Sequence, residues 1–210
     1  MDIALIVESI TYEFGKAFWK YIKEAEYSHI NKSTQNAQFY RFTSPKSNEY
    51  PFMIEIFSRN PDYIILEDDA YLTPLPIDEE VSSLSAILLN EEYYELLKTG
   101  QIIVDGIPVL RPTCLIPFKM KAYLDLSMRK KNGEHVDSKN IKKHKNDVFR
   151  LAQVIALDTR QMVSAEILED MKQFLGLVEN DNVDLKTIGI KEISYKTMIE
   201  LLYRCYFTKD

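Results

Sequence analysis

Two carboxylates stand out because of the residues around them. Glu55 lies in the middle of Phe52-Met53-Ile54-Glu55-Ile56-Phe57, a run that is otherwise apolar. A carboxylate in such surroundings is costly unless it finds a cation, a metal or an opening to solvent. Asp2 opens a second run of the same kind, Asp2-Ile3-Ala4-Leu5-Ile6-Val7. Acids converging from neighbouring strands suit Mg2+, which demands near-octahedral oxygen ligands and keeps waters and substrate phosphates among them. The chemistry such a pair would serve is phosphoryl transfer. The competing reading leaves Asp2 as a frayed terminal residue and puts Glu55 on the solvent face of its strand, paired with Arg59 or Arg41.

Cations that could meet a phosphate occur in two places. In Pro117-Phe118-Lys119-Met120-Lys121-Ala122-Tyr123-Leu124 the lysines sit among core-type residues. On a helix, Phe118, Ala122 and Asp125 share one face, and Lys119, Ala122 and Tyr123 an adjoining one. A lysine so placed either projects its ammonium into a cleft as a point charge for a triphosphate, or snorkels along a solvated face. The second place is Lys139 to Lys145, followed by Asp147 and Arg150. That block is either an exposed helix face or a surface for RNA or nucleotide phosphates.

Other chemistries lack their residues. His29, His135 and His144 make no metal-ligand spacing with a cysteine or an acid. There is no GxxxxGK[ST] loop, no GxGxxG and no GxSxG elbow. Cys114 and Cys205 are far apart in sequence and read as core thiols in a reduced, cytoplasmic setting. No signal-peptide pattern is visible at the N-terminus. No apolar segment approaches the ~20 residues of a membrane span. A net charge of -6 over 210 residues argues against general affinity for nucleic acid, with no DNA partner expected, although a local basic patch remains open.

The elements that must hold these side chains follow from periodicity and punctuation. Thr11 caps a helix over residues 12–27, with Phe14, Phe18, Tyr21 and Ile22 as its core stripe. Residues 37–42 and 52–57 read as an antiparallel strand pair across a turn at Pro45, Ser47 and Asn48. Short apolar runs at 63–66, 70–72 and 84–89 read as further strands or sheet-edge segments. Asn90 caps a helix over 91–99 that ends at Gly100, and Asp105-Gly106 marks a hairpin between 101–104 and 107–110. Beyond Arg111-Pro112 the pattern turns helical, over 113–130, 138–157, 164–175 and 194–207. The expected fold is α+β: a mixed or antiparallel sheet domain over 1–110, then a helical domain over 111–210.

Several of these motifs together resemble the nucleotidyltransferase-fold proteins of the AbiEii/AbiGii type, a bacterial group that includes toxin components. Asp2-Ile3-Ala4-Leu5-Ile6-Val7 looks like the end of that family's Asp-x-Asp strand, and Glu55 falls where its third acid would stand. Lys119-Met120-Lys121-Ala122 is similar to its Lys-x-x-Ala helix, and Lys145-Asn146-Asp147-Val148-Phe149-Arg150-Leu151 resembles its later Lys-and-Asp segment. The resemblance implies transfer of a nucleotidyl group from a nucleoside triphosphate to an acceptor, protein or RNA. It assigns Mg2+ to Asp2 and Glu55, triphosphate contacts to Lys119, Lys121 and Lys145, and a base or orienting role to Asp147. The family's Gly-Ser loop and first acid would precede Met1, so the comparison implies either a start assigned too late or a reduced form that holds two metals poorly. A reduced form would be a non-catalytic module binding a partner protein or RNA through Lys139 to Lys145.

Overall fold

The fold is described by a computed structural model over residues 2–7, 11–30, 37–59, 72–75, 84–179 and 183–207. The architecture is α+β, and the chain divides into two compact units, residues 1–94 and 95–210. The expected runs at 63–66 and, save for Leu72, at 70–72 lie outside the described residues.

The first unit is built on a mixed sheet. Strand β1 (Asp2–Ile6) pairs parallel with β3 (Met53–Arg59), and β2 (Arg41–Thr43) pairs antiparallel with the other edge of β3's first half. Further along, β3 pairs parallel with β5 (Leu84–Leu89), which pairs antiparallel with β4 (Leu72–Leu75). β4 carries Pro74, tolerated because it stands at an edge where a missing N–H breaks no inner ladder. Parallel strands need a crossover, and helix α1 (Tyr12–Glu24) lies in the connection from β1. Its N-cap is Thr11, whose hydroxyl accepts from the Phe14 N–H at 3.2 Å. Its face of Phe18, Trp19 and Ile22 is buried with Phe42, Ile54 and Ile56. The rings of Phe18 and Phe42 meet edge to face at 5.2 Å.

α1 stops at Glu24, short of the expected Tyr27. Glu26 adopts a left-handed φ of 54°, and the N–H groups of Glu26 and Tyr27 turn back to Lys23 and Ile22. This is the Schellman arrangement, here without its usual glycine. Tyr27 is thereby turned to donate its hydroxyl to the Pro51 carbonyl.

The division between the units falls within helix α2 (Glu91–Thr99), earlier in the chain than the expected boundary near residue 110. The hairpin of β6 (Gln101–Val104) and β7 (Ile107–Leu110) therefore belongs with the helices. A side chain at Gly100 would place its Cβ 2.7 Å from the Cys114 Cβ, so only glycine allows this close approach. The Arg111 N–H closes the loop onto the Gly100 carbonyl at 3.0 Å.

The helices of the second unit are α3 (Pro112–Lys131), α4 (Ser138–Ala152), α5 (Ala165–Val178) and α6 (Tyr195–Phe207), with a short 3-10 helix at Leu185–Ile188. α3 and α4 form a helical hairpin, α5 packs on α3, and Met120, Phe149, Met171, Phe174, Met198 and Leu202 are fully buried. α4 ends at Ala152 and not at the expected Leu157. Beyond it, tighter turns from Val154 to Leu151 and from Ile155 to Ala152 replace the helical ladder and bury Ile155.

Pro117 sits inside α3, where its ring nitrogen cannot donate to the carbonyl of Thr113. That buried carbonyl accepts instead from the Tyr206 hydroxyl of α6 at 2.7 Å. Cys114 and Cys205 are both buried free thiols, as their core reading required.

Candidate functional site

In the β1–β3 ladder Asp2 is the register partner of Met53, and Ala4 that of Glu55. Register partners and alternate residues of a strand share a face, so Asp2, Ala4, Met53 and Glu55 stand on one side of the sheet. Ile3, Leu5, Ile54 and Ile56 stand on the other, the side covered by α1. The two acids are diagonal neighbours on adjacent strands, with Cα atoms roughly 8 Å apart by strand spacing and rise. Asp2 is exposed, whereas the Glu55 side chain is 18% exposed.

Glu55 has a partner. Arg41 stands directly across from it on β2, and the guanidinium Nε and Nη2 both lie 2.6 Å from Glu55 Oε1. The pair is a charge-assisted cross-strand contact, and it answers the cost of an acid in an apolar strand. Arg41 lies between Tyr40, whose ring its guanidinium overlies at 5.7 Å, and the buried Phe42. Of the two arginines that the competing sequence reading offered Glu55, Arg41 and Arg59, the pair seen is with Arg41.

For Mg2+, the donor chemistry of Asp2 and Glu55 is right, since both offer hard carboxylate oxygens. One Glu55 oxygen is already engaged by Arg41, and among the described residues there is no group of three or more metal-binding side chains. On this face Asp2 and Glu55 offer two carboxylates, one of them engaged by Arg41.

The remaining candidates belong to the second unit. Lys119 is half-buried on α3 and makes no ion pair among the described residues. Lys121 is held between two carboxylates, Asp170 of α5 at 3.3 Å and Asp125 at 3.7 Å. Burial pushes the Asp125 carboxyl above its usual range, with Lys121 opposing and the Asp170 charge adding to the rise. Asp170 was not anticipated, because nothing local in the sequence links it to α3.

On α4, Lys145 is half-buried and Asp147 bonds Arg150 Nη1 at 3.0 Å. The Arg150 Nε reaches the Ile188 carbonyl at 3.4 Å. Between Lys145 and Asp147, Asn146 is 9% exposed and its Oδ1 has no hydrogen-bond partner among the described residues. The N-terminal half of the same helix carries Lys139, Lys142 and Lys143, all exposed. No protein-family model, no curated protein and no solved structure matches this chain.

Proposed function

We propose that the chain is a nucleotidyltransferase-like protein, moving a nucleotidyl group from a nucleoside triphosphate to an acceptor, with the outer face of β1 and β3 as its carboxylate side. The observation that supports this reading is the placement of Asp2 and Glu55 on one face of adjacent, parallel-paired strands, opposite the face that α1 covers. Rigid strands suit this chemistry because positioning and charge stabilisation supply most of the catalysis in phosphoryl transfer. A Mg2+ ion held by Asp2 and Glu55 would neutralise charge on the triphosphate. Arg41 holds the Glu55 carboxylate through Oε1, which restricts its orientation and leaves Oε2 outside that contact.

Calorimetric titration with ATP, CTP, GTP and UTP, each with and without Mg2+, tests the reading. At least one nucleotide is expected to bind only when Mg2+ is present, and Glu55→Gln is expected to weaken that binding about tenfold or more, the loss of one charge-assisted contact. Binding that ignores Mg2+, or that Glu55→Gln leaves unchanged, would overturn it.

A further inference from the structure

Between Arg129 and Lys145 there are seven Lys or Arg residues and two acids, in a chain whose net charge is -6. Both acids are engaged. Glu134 is paired with Arg129 at 2.7 Å, and Asp137 caps α4 by accepting from the Lys139 N–H at 2.8 Å. Lys130 and Ser138 are joined by a side-chain hydrogen bond, which ties the end of α3 to the start of α4. Lys131, Lys139, Lys142 and Lys143 are all exposed and make no ion pair among the described residues.

Lys139, Lys142 and Lys143 follow i, i+3, i+4 spacing and so share one face of α4. That arrangement works against the helix. Cations in a first turn oppose the helix dipole, and like charges one turn apart repel. Helices α1, α2 and α5 carry acids in their first turns, whereas α3 and α6 carry none. A local rule broken without a compensating ion pair among the described residues points to a ligand outside the fold.

We propose that this surface, formed by the end of α3 and the N-terminal half of α4, binds the phosphodiester backbone of a single nucleic-acid strand. Cations set one turn apart along a helix can meet successive phosphates. The assignment is independent of nucleotidyl transfer and needs no metal.

Fluorescence anisotropy with a labelled mixed-sequence 20-nucleotide RNA, the matching DNA strand, and poly-glutamate of similar length tests it, in 50 mM salt with EDTA. The full chain is expected to bind the RNA, with affinity falling steeply as salt rises. The Lys139→Glu/Lys142→Glu/Lys143→Glu variant is expected to lose at least tenfold in affinity and about two units of the log–log salt slope. Lys172→Glu/Lys196→Glu, which reverses two exposed lysines on α5 and α6, is expected to bind as the parent does, and circular dichroism checks that both variants are folded. Equal binding of RNA and DNA assigns the surface to the backbone alone, and preference for RNA adds the ribose hydroxyl. No binding by the parent chain, retention of binding by the triple variant, or poly-glutamate binding as tight as RNA would overturn the proposal.

Discussion

The two units treat charge differently. In the first, the acid most in need of a partner has one at close range: Glu55 sits in the middle of β3 and Arg41 directly across from it. In the second, five-residue-long runs of helix surface divide into two kinds. α3, α5 and α6 each match a lysine to an acid about one turn away, at 3.7, 3.5 and 3.9 Å. α4 does not do so in its N-terminal half, where three lysines share a face without a carboxylate. The Arg41–Glu55 pair is what folding alone would select, because a largely buried charge left single is destabilising, whereas the exposed pairs on α5 and α6 each add little. Unmatched cations on an exposed helix lower helix stability slightly, so their presence calls for a reason beyond the fold.

The largest effect expected from breaking this contrast is at the matched pair. Arg41→Ala leaves a largely buried carboxylate without its donor and is expected to lower stability by about 1–3 kcal/mol. Trp19 is the chain's one tryptophan and packs against Phe42 at 5.7 Å, so its fluorescence during urea unfolding reports on this unit. The exposed Lys20→Ala change should cost no more than about 0.5 kcal/mol, the range for a surface pair. Equal costs for the two substitutions would remove the distinction between the regions.

A smaller effect of opposite sign is expected on α4. Lys139 stands in the first turn, at the positive end of the helix dipole, so Lys139→Glu should stabilise the helix by about 0.3–1 kcal/mol. Thermal melting followed by far-ultraviolet circular dichroism would detect it. Stabilisation would mean that the lysine is kept at the expense of the fold, whereas a loss of stability would mean that Lys139 has a structural role after all.

The smallest effect concerns Asp125, which faces Lys121, Asp170 and Arg129. Its side chain is 55% exposed, and partial desolvation raises its carboxyl pKa in the folded chain above the unfolded value. Its contribution to stability is therefore full below the unfolded carboxylate range and is lost as pH rises through the folded value. Asp125→Asn should remove that loss. The Tm difference between variant and parent is expected to shift in favour of asparagine as pH rises from the acidic range to neutrality, and a difference that does not change with pH would contradict the assignment.

Local features of this fold were legible in the sequence for reasons that operate within a few residues. Thr11, Asn90 and Ser164 mark helix starts because their side chains satisfy free N–H groups, and Asp105-Gly106 marks the hairpin because its tight turn needs positive φ. Residue 26 hid the end of α1, since the left-handed position is filled by glutamate where glycine would have announced it. The candidate site was legible only in part. Hydrophobic patterning placed Asp2 and Glu55 on strands and left Arg41 or Arg59 as the partner of Glu55, but the choice of Arg41 depends on the register of β2 against β3, and the partner of Lys121 on the packing of α5 against α3. Such pairings are set by tertiary geometry across 14 and 49 residues of chain, beyond the reach of periodicity.

The proline inside α3 also bears on the order in which the second unit forms. Its first long helix has a carbonyl that no neighbour in the same helix can satisfy, and the group that does so lies 93 residues later. During synthesis from the N-terminus, α3 can coil as soon as it is made, but its opening turn stays open to water until α6 arrives. The last helix thus works as a latch on the first, through a contact 93 residues apart that local helix formation alone does not supply.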